Sequence, residues 1–124
     1  MLMAAEVEGV VDRIDGQILK GLLDSLVLRV LEDGDNYGFE ILERISAQLG
    51  GDRMVLREAT LYPLLHRMEE KGLLTSYSRA GLRGTPRKYY RLTRKGRDHL
   101  DARIGEWRRV AAVLQRSLFN SKTA

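Results

Sequence analysis

The sequence predicts a mainly α-helical fold carrying a small two-stranded β-wing, and three stretches predict it. Within 58–71, Leu61, Leu64, Leu65 and Met68 recur at the spacing of one helix face. Gly72 follows where a left-handed helix stop is wanted, and Leu73 is placed for the apolar contact that accompanies one. Two extended runs, 73–77 and 88–92, then flank the tip S-R-A-G-L-R-G-T-P-R (78–87). Beyond Thr93, a suitable helix cap, Leu100, Ile104, Trp107, Ala111, Leu114 and Leu118 follow a heptad spacing. A helix feeding a wing with a basic tip is the outline of a winged helix-turn-helix, here extended by a C-terminal dimerisation helix. The bland alternative for that last helix is that it folds back on its own domain.

Taken in order, residues 1–16 are the least readable. Val7, Val10, Val11, Ile14 and Ile18 have helical spacing, but Gly9 and Gly16 weaken it. A short amphipathic helix on a partner subunit and a frayed tail both remain open. From 17 to 32 the apolar residues form more than one stripe, which predicts a helix buried on more than one side. Asp33-Gly34-Asp35-Asn36 is a turn signal, with Asp35 or Asn36 available to cap a second helix over 37–49. Ile41, Leu42, Ile45 and Leu49 should face inward on it, and Gly50-Gly51 should end it. The expected organisation is a tail or short helix (1–16), a winged unit (17–93), a dimerisation helix (94–119) and a disordered tail (120–124).

The 124 residues have room for one domain, and 44% hydrophobic content supports a modest core. No apolar run approaches the roughly 20 residues that cross a bilayer, and no secretory signal opens the chain. With zero Cys there are no disulfides or thiolate metal sites, which fits a cytoplasmic protein. Charge is segregated within the net +4. Lys71, Arg79, Arg83, Arg87, Lys88, Arg91, Arg94, Lys95 and Arg97 fall in a span without Asp or Glu, which leaves the rest acidic. Such a block predicts a surface directed at a polyanion, double-stranded DNA first.

Catalytic chemistry finds no support. His66 and His99 stand alone, so no metal site is expected, and no nucleophile elbow, phosphate loop or dinucleotide fingerprint occurs. No cofactor is implied. A DNA reader needs polar groups on the exposed face of the 58–71 helix, because a major groove accepts one helix and meets mainly its N-terminal part. Thr60, Tyr62, Pro63, His66 and Arg67 are available there, with Arg67 also able to reach Glu70. Pro63 costs a backbone hydrogen bond, so it should lie near the first turn or kink the helix. Tyr37 could donate to a phosphate beside a helix start. Arg79, Arg83, Arg87 and Lys88 around the tip should contact phosphates or enter a minor groove. Tyr89 and Tyr90 alternate along a strand, so one should face the core.

Three motifs carry a resemblance. Y-G-F-E-I (37–41), T-L-Y-P-L-L-H-R-M-E-E-K-G-L-L (60–74) and T-P-R-K-Y-Y-R-L-T-R-K-G-R (85–97) closely resemble PadR-family transcriptional regulators. L-K-G-L-L-D-S-L-V-L-R-V-L (19–31) is similar to the family's first helix, and the short C-terminal part to its smaller branch. The resemblance implies a bacterial repressor, homodimeric through N- and C-terminal helices and relieved by a small-molecule or stress signal. Its operator would be a pseudo-palindrome with half-site centres roughly 34 Å apart. It also implies that an aromatic inducer could stack on two copies of Trp107, against the plainer reading of Trp107 as packing. Where the family often has Ser or Pro then Gly before T-L-Y, this chain has Arg57-Glu58-Ala59, which alters the start of the recognition helix. The competing reading is a winged-helix interaction module that contacts only protein.

Overall fold

The computed structural model describes residues 14–50 and 56–119. Helix α1 (Gly16–Glu32) opens on Asp15, whose carboxylate accepts from the Gln17 amide at 2.8 Å. It is buried on several sides, through Leu23, Val27, Leu28, Val30 and Leu31, as its apolar density implied. Strand β1 (Asn36–Tyr37) leads into α2 (Gly38–Gln48), which buries Ile41, Leu42 and Ile45. Helix α3 (Glu58–Glu70) inserts Leu61, Leu65 and Met68 into the same core. Strands β2 (Leu74–Ala80) and β3 (Pro86–Leu92) follow, then α4 (Arg94–Leu114) and a π-helical turn (Gln115–Phe119). Residues 1–13 of the expected N-terminal helix or tail lie outside the described residues, as does the expected disordered tail 120–124.

The wing differs from expectation in two ways. The sheet has three strands in the order β1-β3-β2, because Asn36 and Tyr37 pair with Tyr90 and Tyr89. A two-residue strand carries no periodicity, and its partner lies some fifty positions away, so local pattern could not reveal it. Consequently Asp35 and Asn36 do not cap α2. Asp35 instead accepts from the Tyr77 hydroxyl at 2.7 Å and Arg91 Nε at 3.1 Å, while Asn36 Oδ1 accepts from the Tyr37 amide at 3.0 Å. The second difference is length. Ser78 pairs with Lys88, Arg79 with Arg87 and Ala80 with Pro86, so the ladder runs further and the tip contracts to 81–85. Tyr90 is the tyrosine that faces the core, at 6% exposure.

The joint between α3 and the wing follows the sequence closely. Gly72 has φ +81°, the Leu73 amide donates to the Met68 carbonyl at 3.0 Å, and the Gly72 amide donates to that of Glu69 at 2.9 Å. This is a Schellman stop. Thr93 then caps α4, its Oγ1 accepting from the Gly96 amide at 2.9 Å and donating to the Gly72 carbonyl at 2.6 Å. The heptad seam of α4 is divided. Leu100 is buried in the domain's own core at 1% exposure, and Ile104 packs against that core. Trp107 donates its indole N–H to Ser25 Oγ of α1 at 3.1 Å. Ala111 is exposed, Leu114 half-buried and Leu118 exposed, and Val110 and Val113 are bared beside them. The first half of the seam thus closes the chain on itself. A heptad pattern reports an apolar face, not what that face meets.

Candidate nucleic-acid interface

Because Leu61, Leu65 and Met68 point inward, α3 presents Thr60, Tyr62, Pro63, His66 and Arg67 outward. Arg57 occupies the N-cap without a capping hydrogen bond from its own side chain, and its carbonyl accepts from the Thr60 and Leu61 amides at 2.9 and 3.0 Å. Pro63 falls in the second turn, next to the first, and leaves the exposed Ala59 without its usual i+4 donor. His66 takes the partner expected for Arg67, with Nε2 3.3 Å from a Glu70 oxygen. Arg67 remains exposed and unpaired among the described residues.

Tyr62 is partly structural. At 39% exposure its ring lies against the start of α2, where a Cβ on Gly38 would sit 2.3 Å from Cε1. Glycine at 38 therefore makes room for that ring, which is the reason for Gly within Y-G-F-E-I. Burial against this wall, then Glu58 and Tyr90, push the phenol's pKa up. Tyr62 accordingly stays protonated, a hydrogen-bond donor at neutral pH and well above it.

Beside Tyr62 runs a notch of about 570 Å³ lined by Tyr37, Gly38, Phe39, Arg87, Lys88 and Tyr90. Four of the residues selected from sequence, Tyr37, Tyr62, Arg87 and Lys88, are brought together here. The Arg87 guanidinium lies 4.3 Å over the Tyr37 ring, and Arg79 lies 4.7 Å over that of Tyr89. Stacking of this kind holds an arginine while leaving its N–H edge available. Thr60 is not part of the notch. It faces a second hollow with Asp15, Lys20 and Leu23 at the start of α1. Arg83 stands alone on the tip at φ +65°, with no partner among the described residues.

The nine-cation block is less unbalanced in space than along the chain. Lys88 lies 3.6 Å from Glu69, Arg91 3.1 Å from Asp35 and Arg97 3.7 Å from Glu32. All three acids come from outside the block, which composition within a span could not show. Lys95 donates to the Lys71 carbonyl at 2.7 Å. The cations left for a ligand concentrate at the tip and along the notch. Sequence reasoning also missed Phe39, 44% exposed at the notch, and Leu82, 78% exposed on the tip. Phe39 lies in the first turn of α2 and Leu82 in the turn between β2 and β3, and a single apolar residue at either place gives no local sign of its exposure.

No described helix is long and apolar enough to cross a membrane. Among the described residues no acidic or histidine cluster could hold a metal. An exposed polar helix face, reached after a preceding helix and flanked by a three-stranded sheet with a cationic tip, defines a winged helix-turn-helix, a DNA-binding class. The chain belongs to the PadR-like family of transcriptional regulators, whose family model matches residues 27–102. These are DNA-binding regulators rather than enzymes. The chain is 35% identical over 101 residues to uncharacterized protein X of Lysinibacillus sphaericus, covering 82% of this chain and 92% of that one. A PadR-like transcriptional regulator of Bacillus cereus superposes with a TM-score of 0.75 at 28% identity, covering 86% of this chain and 100% of the other. A transcriptional regulator of Clostridium thermocellum superposes at 0.74 with 30% identity, covering 83% and 99%. A PadR family regulator of Clostridium difficile does so at 0.66 with 37% identity, covering 78% and 98%.

Proposed function

We propose that the chain is a cytoplasmic homodimeric repressor whose α3 enters the major groove of a pseudo-palindromic operator while the wing engages the flanking backbone. The convergence of Tyr37, Tyr62, Arg87 and Lys88 on one notch beside the exposed face of α3 carries this reading. Tyr62 supplies a protonated phenol at the groove margin, and Thr60, Pro63, His66 and Arg67 reach base edges or phosphates along the helix. Arg79, Arg83, Arg87 and Lys88 add a term that depends little on sequence. The exposed end of α4 pairs two copies. A signal relieving repression would act through α4, because its packing on α1 sets how the two reading heads stand. An aromatic inducer on Trp107 would share the ring with Arg103, whose guanidinium lies 5.4 Å away.

Binding of the purified protein to its own promoter and to a scrambled duplex, across a salt series, tests the reading. If the dimer neutralises about 6–10 phosphates, affinity should fall about 10³–10⁵-fold between 50 and 200 mM salt. A flat titration, or equal affinity for both duplexes, would overturn it.

Gly38→Ala provides a sharper check. The added methyl should drive the Tyr62 ring out of place and weaken operator binding about tenfold, a change worth about 1.4 kcal/mol. Tyr62→Ala should cost a similar amount, and the double variant no more than Tyr62→Ala alone. Additive losses in fluorescence anisotropy would mean that Gly38 and Tyr62 act separately.

A further inference from the structure

Helix α3 carries three carboxylates, and two of them are engaged. Glu69 accepts from the Ser76 hydroxyl at 2.6 Å and lies 3.6 Å from Lys88 Nζ. Glu70 lies 3.3 Å from His66 Nε2. Glu58, the first residue of the helix, is exposed and has no hydrogen-bond or ion-pair partner among the described residues. Four positions on, Tyr62 shares its flank, because residues i and i+4 are neighbours on a helix surface. The two are also close enough to interact electrostatically. After burial, the Glu58 carboxylate is the next cause that pushes the Tyr62 phenol's pKa up. Glu58 thus joins Thr60, Tyr62 and Pro63 at the N-terminal end of α3, the end from which a groove-bound helix meets base edges.

An acid at this place is at odds with the cations around it. It gains modestly from the helix dipole. The same dipole would otherwise hold a phosphate, and a carboxylate in that position repels the DNA backbone instead. Against a duplex, an unpaired acceptor is tolerated only where the groove offers a donor. In the major groove cytosine offers its N4 amino group and adenine its N6. Adenine sets the acceptor N7 beside that donor, which repels a carboxylate, whereas cytosine's own edge carries no acceptor there. The chemistry fits cytosine.

Resting on the operator reading above, we propose that Glu58 is a specificity-determining residue that accepts from a cytosine N4 amino group in each half-site. It fixes one base of the operator and, by repelling phosphates, lowers affinity for DNA that lacks that base. The cations of tip and notch raise affinity for any duplex. The unpaired carboxylate of α3 makes part of that affinity conditional on sequence.

The test selects duplexes from a random-sequence library with the full chain, then measures the enriched operator and its single-pair variants by fluorescence anisotropy. Wild type should require cytosine at one position per half-site, and replacing that C·G pair should weaken binding roughly tenfold. Glu58→Ala should level the preference at that position and leave the others in place. Glu58→Gln should move it toward adenine, whose N6 and N7 a glutamine amide meets together. Both variants should bind a scrambled duplex more tightly than wild type does. Their melting temperatures should stay close to that of wild type, because the side chain is exposed. Variants that keep every base preference and merely tighten on all duplexes alike would overturn the assignment and leave the operator reading intact. A wild-type preference for a base other than cytosine at the position the variants change would overturn it as well. Wild type that enriches no sequence over a scrambled duplex would overturn the operator reading, and this inference with it.

Discussion

Replacing Gly96 with alanine is expected to destabilise the domain by about 3 kcal/mol, at the upper end for overpacking. Gly96 lies in the first turn of α4, where a Cβ would meet the Leu73 carbonyl oxygen at 2.1 Å, its carbon at 3.1 Å and Leu92 Cδ1 at 2.8 Å. The obstacle cannot move aside. The Leu73 carbonyl accepts from the Thr93 amide at 3.1 Å, and Leu73 itself belongs to the stop that ends α3. Recognition helix, wing base and α4 are fastened at this one contact. The melting temperature followed by circular dichroism should therefore drop roughly 10–20 °C. Gly21→Ala is the control. It lies within α1 with nothing within 4 Å of the added methyl, so it should stabilise by up to about 1 kcal/mol. A Gly96→Ala protein that melts with wild type would show that α4 does not approach Leu73 so closely in solution.

The double substitution Val110→Asp, Val113→Asp should have the largest effect on operator binding. Both valines are on α4 beyond its contact with α1, exposed by 42% and 47%, and Leu118 and Phe119 continue the bare surface at 69% and 65%. Charges placed there leave the monomer's core intact but must be desolvated if two copies pack together. On the homodimer reading proposed above, sedimentation equilibrium should show a monomer, and affinity for a pseudo-palindromic operator should fall about 10²–10⁴-fold as two half-sites cease to be bound jointly. The melting temperature should also lose its dependence on protein concentration. A variant that stays dimeric with unchanged operator affinity would remove the distal part of α4 from the interface.

The features that could be read from sequence are those completed within a few residues. The inward face of α3 is visible in the spacing of Leu61, Leu65 and Met68, because side chains three and four apart share a helix face. Gly72 marks the stop because a left-handed residue must follow the last turn, and Thr93 marks a start because its hydroxyl reaches the Gly96 amide. The order of helices, wing and final helix follows from such local signals. Together with three motifs, they made the family legible.

Other features depend on residues far apart in the chain. Strand β1 exists only because Asn36 and Tyr37 meet Tyr90 and Tyr89, and the tip is short because Arg79 and Arg87 pair across the ladder. The acids that offset the basic block arrive from α1, the turn after it and α3. Gly38 and Gly96 look like ordinary glycines until Tyr62 and Leu73 are found pressed against them. The α4 seam shows why. Its apolar repeat specified from sequence alone that one face is to be covered. Only the tertiary structure assigned Leu100 to the domain's own core and left Val110 and Val113 bare, because hydrophobic burial is non-directional and the partner surface is set by the assembled fold.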